Sequence, residues 1–149
     1  DEAAAAGAAI AEAIGHSIAR VGGAGLVIDY GYSAPAFGET LQAVKSHSFS
    51  AVLSDPGASD LSTHVDFTAL ADAARRGGAS VYGPEEQGAF LSSLGLRERA
   101  AALSSTARSR SDVATLGAAV ERLVNPDQMG SLFKALAIMP QSAPTTPGL

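Results

Sequence analysis

Two short stretches of this sequence concentrate the side chains that can line a ligand cleft or move a proton. They are Asp29-Tyr30-Gly31-Tyr32 and Asp60-Leu61-Ser62-Thr63-His64-Val65-Asp66-Phe67. The first follows an apolar run and offers a carboxylate, two phenol rings and, at Gly31, freedom for the backbone. Ligands of doubly wound sheets bind just outside the carboxyl ends of the strands, so an acid and two phenols at such an end can line a cleft. In the second, His64 is the residue type that carries a proton near neutral pH, and Asp66 stands where an aspartate caps the helix that follows. Each has a plainer reading. Asp29 can cap a loop, the tyrosines can pack with their hydroxyls at the surface, His64 can be a hydrogen-bonded structural residue, and Asp66 can be an N-cap and nothing else.

Other chemistries are excluded or disfavoured. There is no cysteine, so disulfides, thiolate metal sites and a cysteine nucleophile are absent. His16 and His47 have no partner at ligand spacing. The serines form no nucleophile elbow of the G-x-S-x-G kind. Gly22, Gly23 and Gly25 follow a helical pattern and precede a strand, the reverse of the order in which glycines cradle a dinucleotide phosphate. A net charge of −5 gives no overall basic footprint for nucleic acid, and no apolar run reaches the ~18 residues of a membrane helix.

The elements that must position these residues are legible from periodicity. The chain has 149 residues, 46% hydrophobic and 17% charged, about one globular domain. Residues 3–21 carry Ile10, Ile14, Ile18 and Val21 at helical spacing, and Gly22-Gly23 stops them. Ala24–Tyr30 reads as a strand buried on both faces, with parallel neighbours on either side. Those neighbours are not expected within this chain, so the sheet reads as half present. Gly31–Gly38 reads as a loop, Glu39–Lys45 as a strand and Ser46–Ser62 as a long loop with a turn at Asp55-Pro56-Gly57. Asp66–Arg76 is expected as a helix and Ala79–Tyr82 as a strand. Pro84 is expected to open the next helix, which Gly95 ends. Arg97–Leu103, Val113–Val124 and Gln128–Ile138 read as further helices, and Pro140–Leu149 as a flexible Pro-rich tail. The opening on Asp1, without Met, fits a processed chain or an internal piece.

Five ordered blocks carry a family likeness: GLVIDYGY (Gly25–Tyr32), GETLQAVKSHSF (Gly38–Phe49), DPGASDLSTHVDFTALADAA (Asp55–Ala74), YGPEEQGAFLSSLGLRERA (Tyr82–Ala100) and NPDQMGSLFKALAI (Asn125–Ile138). Together they resemble the C-terminal half of the MidA family, which includes the mitochondrial complex I assembly methyltransferase. The resemblance implies an α/β fold for residues 1–139, the C-terminal part of a doubly wound, mostly parallel Rossmann-like methyltransferase sheet with additional helices. It implies S-adenosylmethionine as the cofactor of the complete protein and a protein substrate, with arginine as acceptor. It also implies a cytoplasmic location in bacteria or a mitochondrial one in eukaryotes. The family's donor-binding blocks, a Gly-rich loop after the first strand, an acid after the second and an N-E-x-x-D-like segment after the fourth, find no match here, so no cofactor-binding residue is expected in this chain. What matches is Asp29-Tyr30-Gly31 and Thr63-His64-Val65-Asp66-Phe67. The expected substrate cleft is therefore Asp29, Tyr30, Gly31, Tyr32, His64 and Asp66, with Asp29 or Asp66 to orient a guanidinium and Tyr30 or Tyr32 to stack on it. Asp29, Tyr30 and His64 are expected on one concave surface. The alternative is an interaction module that retains the fold without catalysis.

Overall fold

The computed structural model describes residues 2–34, 40–46, 48–54, 57–143 and 147–149. The Pro35 loop, Glu39 at the start of an expected strand, His47, the Asp55-Pro56 turn and Asp1 lie outside them. The chain opens with α1 (Glu2–Val21), whose Ala-rich sequence favours helix. Gly22 and Gly23, at φ of +81° and +103°, end it and turn the chain into β1 (Gly25–Tyr32). β2 (Gln42–Lys45), β3 (Ser48–Ser50) and β4 (Asp60–Ser62) form a small antiparallel sheet in the order β3-β2-β4. The expected long loop thus contains two strands, too short to show a period of two. Next come β5 (Val65–Asp66) and α2 (Phe67–Arg76), then β6 (Ser80–Glu86) and α3 (Gln87–Ser93). The last elements are α4 (Leu96–Ser105), α5 (Arg110–Val124), a π-helical turn at Pro126–Gly130 and β7 (Phe133–Met139).

The main sheet has the order β5-β1-β7-β6. β1 was expected to have parallel neighbours on both sides. It is parallel to β5 only at Gly31 and Tyr32, and antiparallel to β7 along Gly25–Tyr30. Nor is it buried on both faces, for Leu26 and Ile28 remain 55% and 42% exposed. An apolar run reports how much its environment asks for burial, not which way its neighbour runs.

The last helix expected from the sequence, Gln128–Ile138, is corrected as well. Met129, Leu132, Phe133 and Leu136 do fall at helical spacing, but Phe133–Met139 is a strand between β1 and β6. There Ala135, Leu136, Ala137 and Ile138 are all buried. A short continuous apolar run fits a buried helix and a buried strand equally, and pairing on both edges decides for the strand. Pro84 does not open a helix either. It sits in β6 where the ladder to β7 shifts register between Tyr82 and Glu85, a place for a residue with no N–H to donate. The helix starts three residues later, at Gln87.

The core lies between one face of the sheet and the α1–α2 pair. Phe67, Ala71 and Leu136 form one cluster, Ile18, Ala74, Ala79 and Ile138 another, and Val27 and Val81 pack against both. The helices approach closely because Gly15 and Gly77 have no side chains. A methyl on Gly15 would run into the Ala74 carbonyl, and one on Gly77 into the backbone of α1. This fixes which face of β1 is inward: Gly25 and Val27 point to the helices, and Asp29 shares their phase.

Candidate functional site

β1 ends at Tyr32, and the register places Tyr30 opposite Phe133 and Asp29 opposite Lys134. Lys134 in turn lies opposite Glu86, the last residue of β6. The end of β1, the end of β6 and the start of β7 therefore form one rim. Both insertions of the chain join the sheet here: the small sheet β2–β4 between Tyr32 and Val65, and the helical segment between Glu86 and Phe133. Open α/β sheets bind ligands at this carboxyl edge.

Alternation along β1 splits the expected cleft between the two faces. Tyr30 points away from α1 and α2. Its ring meets that of His64 edge-on, centroids 5.6 Å apart, and that of Phe133 at 5.7 Å and 67°. Both are favourable aromatic geometries. His64 reaches this place because its backbone N–H donates to Thr40 Oγ1 at 3.4 Å, and the Thr40 and Thr63 hydroxyls share a hydrogen bond of 2.7 Å. These contacts tie the small sheet to the rim. Gly31 is buried against β5, and its role is close approach rather than backbone freedom: a methyl there would overlap the Val65 backbone. Tyr32 pairs with Asp66 in the same ladder.

Asp29 faces the helices, with its carboxylate accepting from the Tyr30 N–H at 2.8 Å. Asp66 caps α2, its Oδ1 accepting from Ala69 N–H at 2.9 Å. That carboxylate is committed to the helix end, which leaves Asp29 as the acid of the six candidates without a capping task. The structure thus brings Tyr30 and His64 together, sets Gly31, Tyr32 and Asp66 in the adjoining ladder, and turns Asp29 to the other face.

Four rim residues were missed by the sequence reading. Phe133 completes the aromatic corner. Lys134 is buried, and its ammonium donates to the Ser131 carbonyl; the Ser131 hydroxyl donates to Glu86 Oε2 at 2.8 Å. The available signal was a single lysine inside the apolar run FKALAIM, since a buried ammonium needs acceptors. Nearby Gln87, also buried, donates from Nε2 to the Leu123 carbonyl at 3.0 Å and holds α5 to the start of α3.

The residues do not fit a donor cradle. The two strand-to-helix junctions, Asp66-Phe67 and Glu86-Gln87, have no glycine-rich loop, and Gly22 and Gly23 stand between a helix and a strand. A cavity of about 250 Å³ opens instead at the other end of β1. Its lining, which includes Leu26, Phe90, Leu94 and Met139, is almost wholly apolar, so it offers nothing to orient a polar reaction. Among the described residues no His, Asp and Glu cluster could hold a metal ion, and no helix is long and apolar enough to cross a membrane.

Residues 2–85 match the family model described as "Putative S-adenosyl-L-methionine-dependent methyltransferase". The chain is 35% identical over 131 residues to the mitochondrial protein arginine methyltransferase NDUFAF7 of Mus musculus, covering 88% of this chain and 30% of that protein. It is 37% identical over 127 residues to the Drosophila melanogaster homolog, covering 83% and 28%. A solved candidate methyl transferase of Burkholderia thailandensis, bound to S-adenosyl-homocysteine, superposes with a TM-score of 0.73 at 28% identity, over 89% of this chain and 35% of that one. The chain therefore spans about three tenths of the curated relatives it matches. With more than half of its residues matched by the family model, it belongs to the MidA-type family of S-adenosyl-L-methionine-dependent methyltransferases.

Proposed function

We propose that this chain supplies the acceptor side of a methyltransferase that uses S-adenosylmethionine and acts on arginine of a protein substrate. The observation that carries the reading is the aromatic corner at the carboxyl rim of β1, in a chain of this family. A guanidinium is planar, cationic and rich in donors, and it suits the face of Tyr30 with the His64 ring beside it. Asp29, one position before Tyr30, has its carboxylate on the opposite face of β1, so the binding of such a group at this corner rests on the two rings. Methyl transfer to nitrogen asks chiefly for alignment of the acceptor and for a route by which one proton leaves. His64 is the residue suited to the second task, and its backbone anchor to Thr40 fixes where it stands. The residues present do not cradle the donor, so the donor site of the complete protein lies outside this acceptor rim. The mouse and fly relatives are mitochondrial proteins, and that location is proposed for eukaryotic proteins carrying this sequence type, with the cytoplasm for bacterial ones.

Calorimetric titration with S-adenosylmethionine tests the reading. The natural full-length polypeptide containing this sequence binds the donor and transfers its methyl group to arginine, whereas the 149-residue chain alone does not bind it. Micromolar binding by the chain alone refutes the division of labour. Donor binding without transfer to any protein favours the second reading, an assembly module that keeps the fold without catalysis.

A further inference from the structure

The helical hairpin of α4 and α5 has a charge opposite to the rest of the molecule. Residues 96–124 hold Arg97, Arg99, Arg108, Arg110 and Arg122 against Glu98, Asp112 and Glu121, a balance of +2. The whole chain is −5, so everything outside the hairpin is −7. None of the five arginines makes an ion pair or side-chain hydrogen bond among the described residues, whereas Arg75 and Arg76 of α2 pair with Asp72 and Glu12. No residue of α4 or α5 is buried, and all five arginines are exposed. The hairpin leaves the sheet after Glu86 and returns at Phe133, at the rim that carries Tyr30 and His64.

We infer that α4–α5 is a docking arm for an acidic polypeptide surface. Half of the ten basic residues stand on these 29 positions, and all five are arginine. The guanidinium fork bonds a carboxylate through two parallel N–H donors, which a lysine ammonium does not. The hairpin contains no aromatic residue, and so lacks both the platform on which single-stranded nucleic acid stacks and the aromatic anchors typical of interfacial membrane helices. An acidic partner held here is also repelled by the remainder of the molecule, which sets its register on the arm. The inference stands on the charge distribution and is independent of which group the rim modifies.

The test uses the natural full-length polypeptide and a fluorescein-labelled decaglutamate peptide, read by anisotropy at low and physiological salt. Binding is expected, weakening with salt. Replacing the five arginines with serine is expected to weaken it about tenfold or more, since each exposed charge pair accounts for roughly a two- to fivefold change. R75S/R76S on α2 leaves binding unchanged, and replacing the five with lysine gives an intermediate loss. All five side chains are exposed, so circular dichroism is expected to show native helix content in every variant. No binding by the wild-type protein overturns the inference and means that these arginines are merely solvated or covered by the rest of the polypeptide. Equal loss in R75S/R76S, or stronger binding to phosphatidylglycerol vesicles or to a 20-nucleotide RNA than to the peptide, overturns it too.

Discussion

Replacing Gly31 with alanine separates two explanations of why a glycine stands at the end of β1. Gly31 is buried and is not among the glycines with positive φ, so alanine is not resisted by the backbone angle. What resists it is space: the added methyl lands on the carbonyl of Val65, its partner in the β1–β5 ladder. Restoring an ordinary contact of ~3.5 Å requires the two backbones to part by on the order of 1 Å. Overpacking of this kind costs roughly 1–3 kcal/mol. At about 2 kcal/mol the midpoint of thermal unfolding falls by about 4–8 °C for a chain of this size. Since β5 continues directly from His64, parting the ladder also withdraws the imidazole from Tyr30, and the His64 ring resonances shift. Gly117→Ala is the control. Gly117 lies in α5 with nothing within 4 Å of an added Cβ, and helix propensity alone makes that change stabilising by about 0.5–1 kcal/mol. Differential scanning calorimetry and NMR of the two variants decide. A Gly31→Ala protein that melts with the wild type and keeps its His64 resonances would refute the close-approach argument.

Leu136→Ala removes a fully buried side chain whose neighbours include Phe67 and Ala71. The small alanine beside it cannot fill the hole, so a loss of about 3–4 kcal/mol in urea unfolding is expected, and a loss below ~1 kcal/mol would show that the core relaxes freely. Asp66→Ala strips the cap of α2 and is expected to cost about 0.5–2 kcal/mol, while Asp66→Asn restores most of it; equal effects of the two would mean that the carboxylate charge matters more than the hydrogen bond. For His64→Ala in the full-length protein, a lower kcat/KM with nearly unchanged melting is expected. Early melting with normal turnover of the folded fraction would assign His64 to packing. Glu12→Gln weakens the exposed 3.2 Å pair with Arg76 and is expected to change stability by less than about 1 kcal/mol; a larger change in calorimetry would show that the pair is coupled to the Gly15–Gly77 helix contact.

Much of the local structure was written in the sequence because its causes are local. Gly22-Gly23 ends α1, Asp66 caps α2 through a hydrogen bond three residues away, and Gly77 and Gly95 bound helices where expected. The five ordered blocks gave the family for the same reason, since order and identity along a chain need no coordinates. The partition of the candidate site was half legible. Tyr30 and His64 were read as neighbours and are; Asp29 was read as their companion and faces the other side. Strict alternation along β1 demanded that split, and it became visible only once Gly25 and Val27 showed which face the helices cover.

What only the tertiary structure decided is pairing. FKALAIM satisfies the period of a helix and the continuity of a strand, and its backbone groups go to whichever partners the fold supplies. Here β1 and β6 offer an edge on each side, so the segment becomes an inner strand and brings Phe133 and Lys134 to the rim. Pro84 likewise could open a helix or sit in a bulge, and the register against β7 settled it. Composition and spacing determined what each residue is able to do; the direction of a neighbouring strand, fixed by contacts far away in sequence, determined which of them do it together.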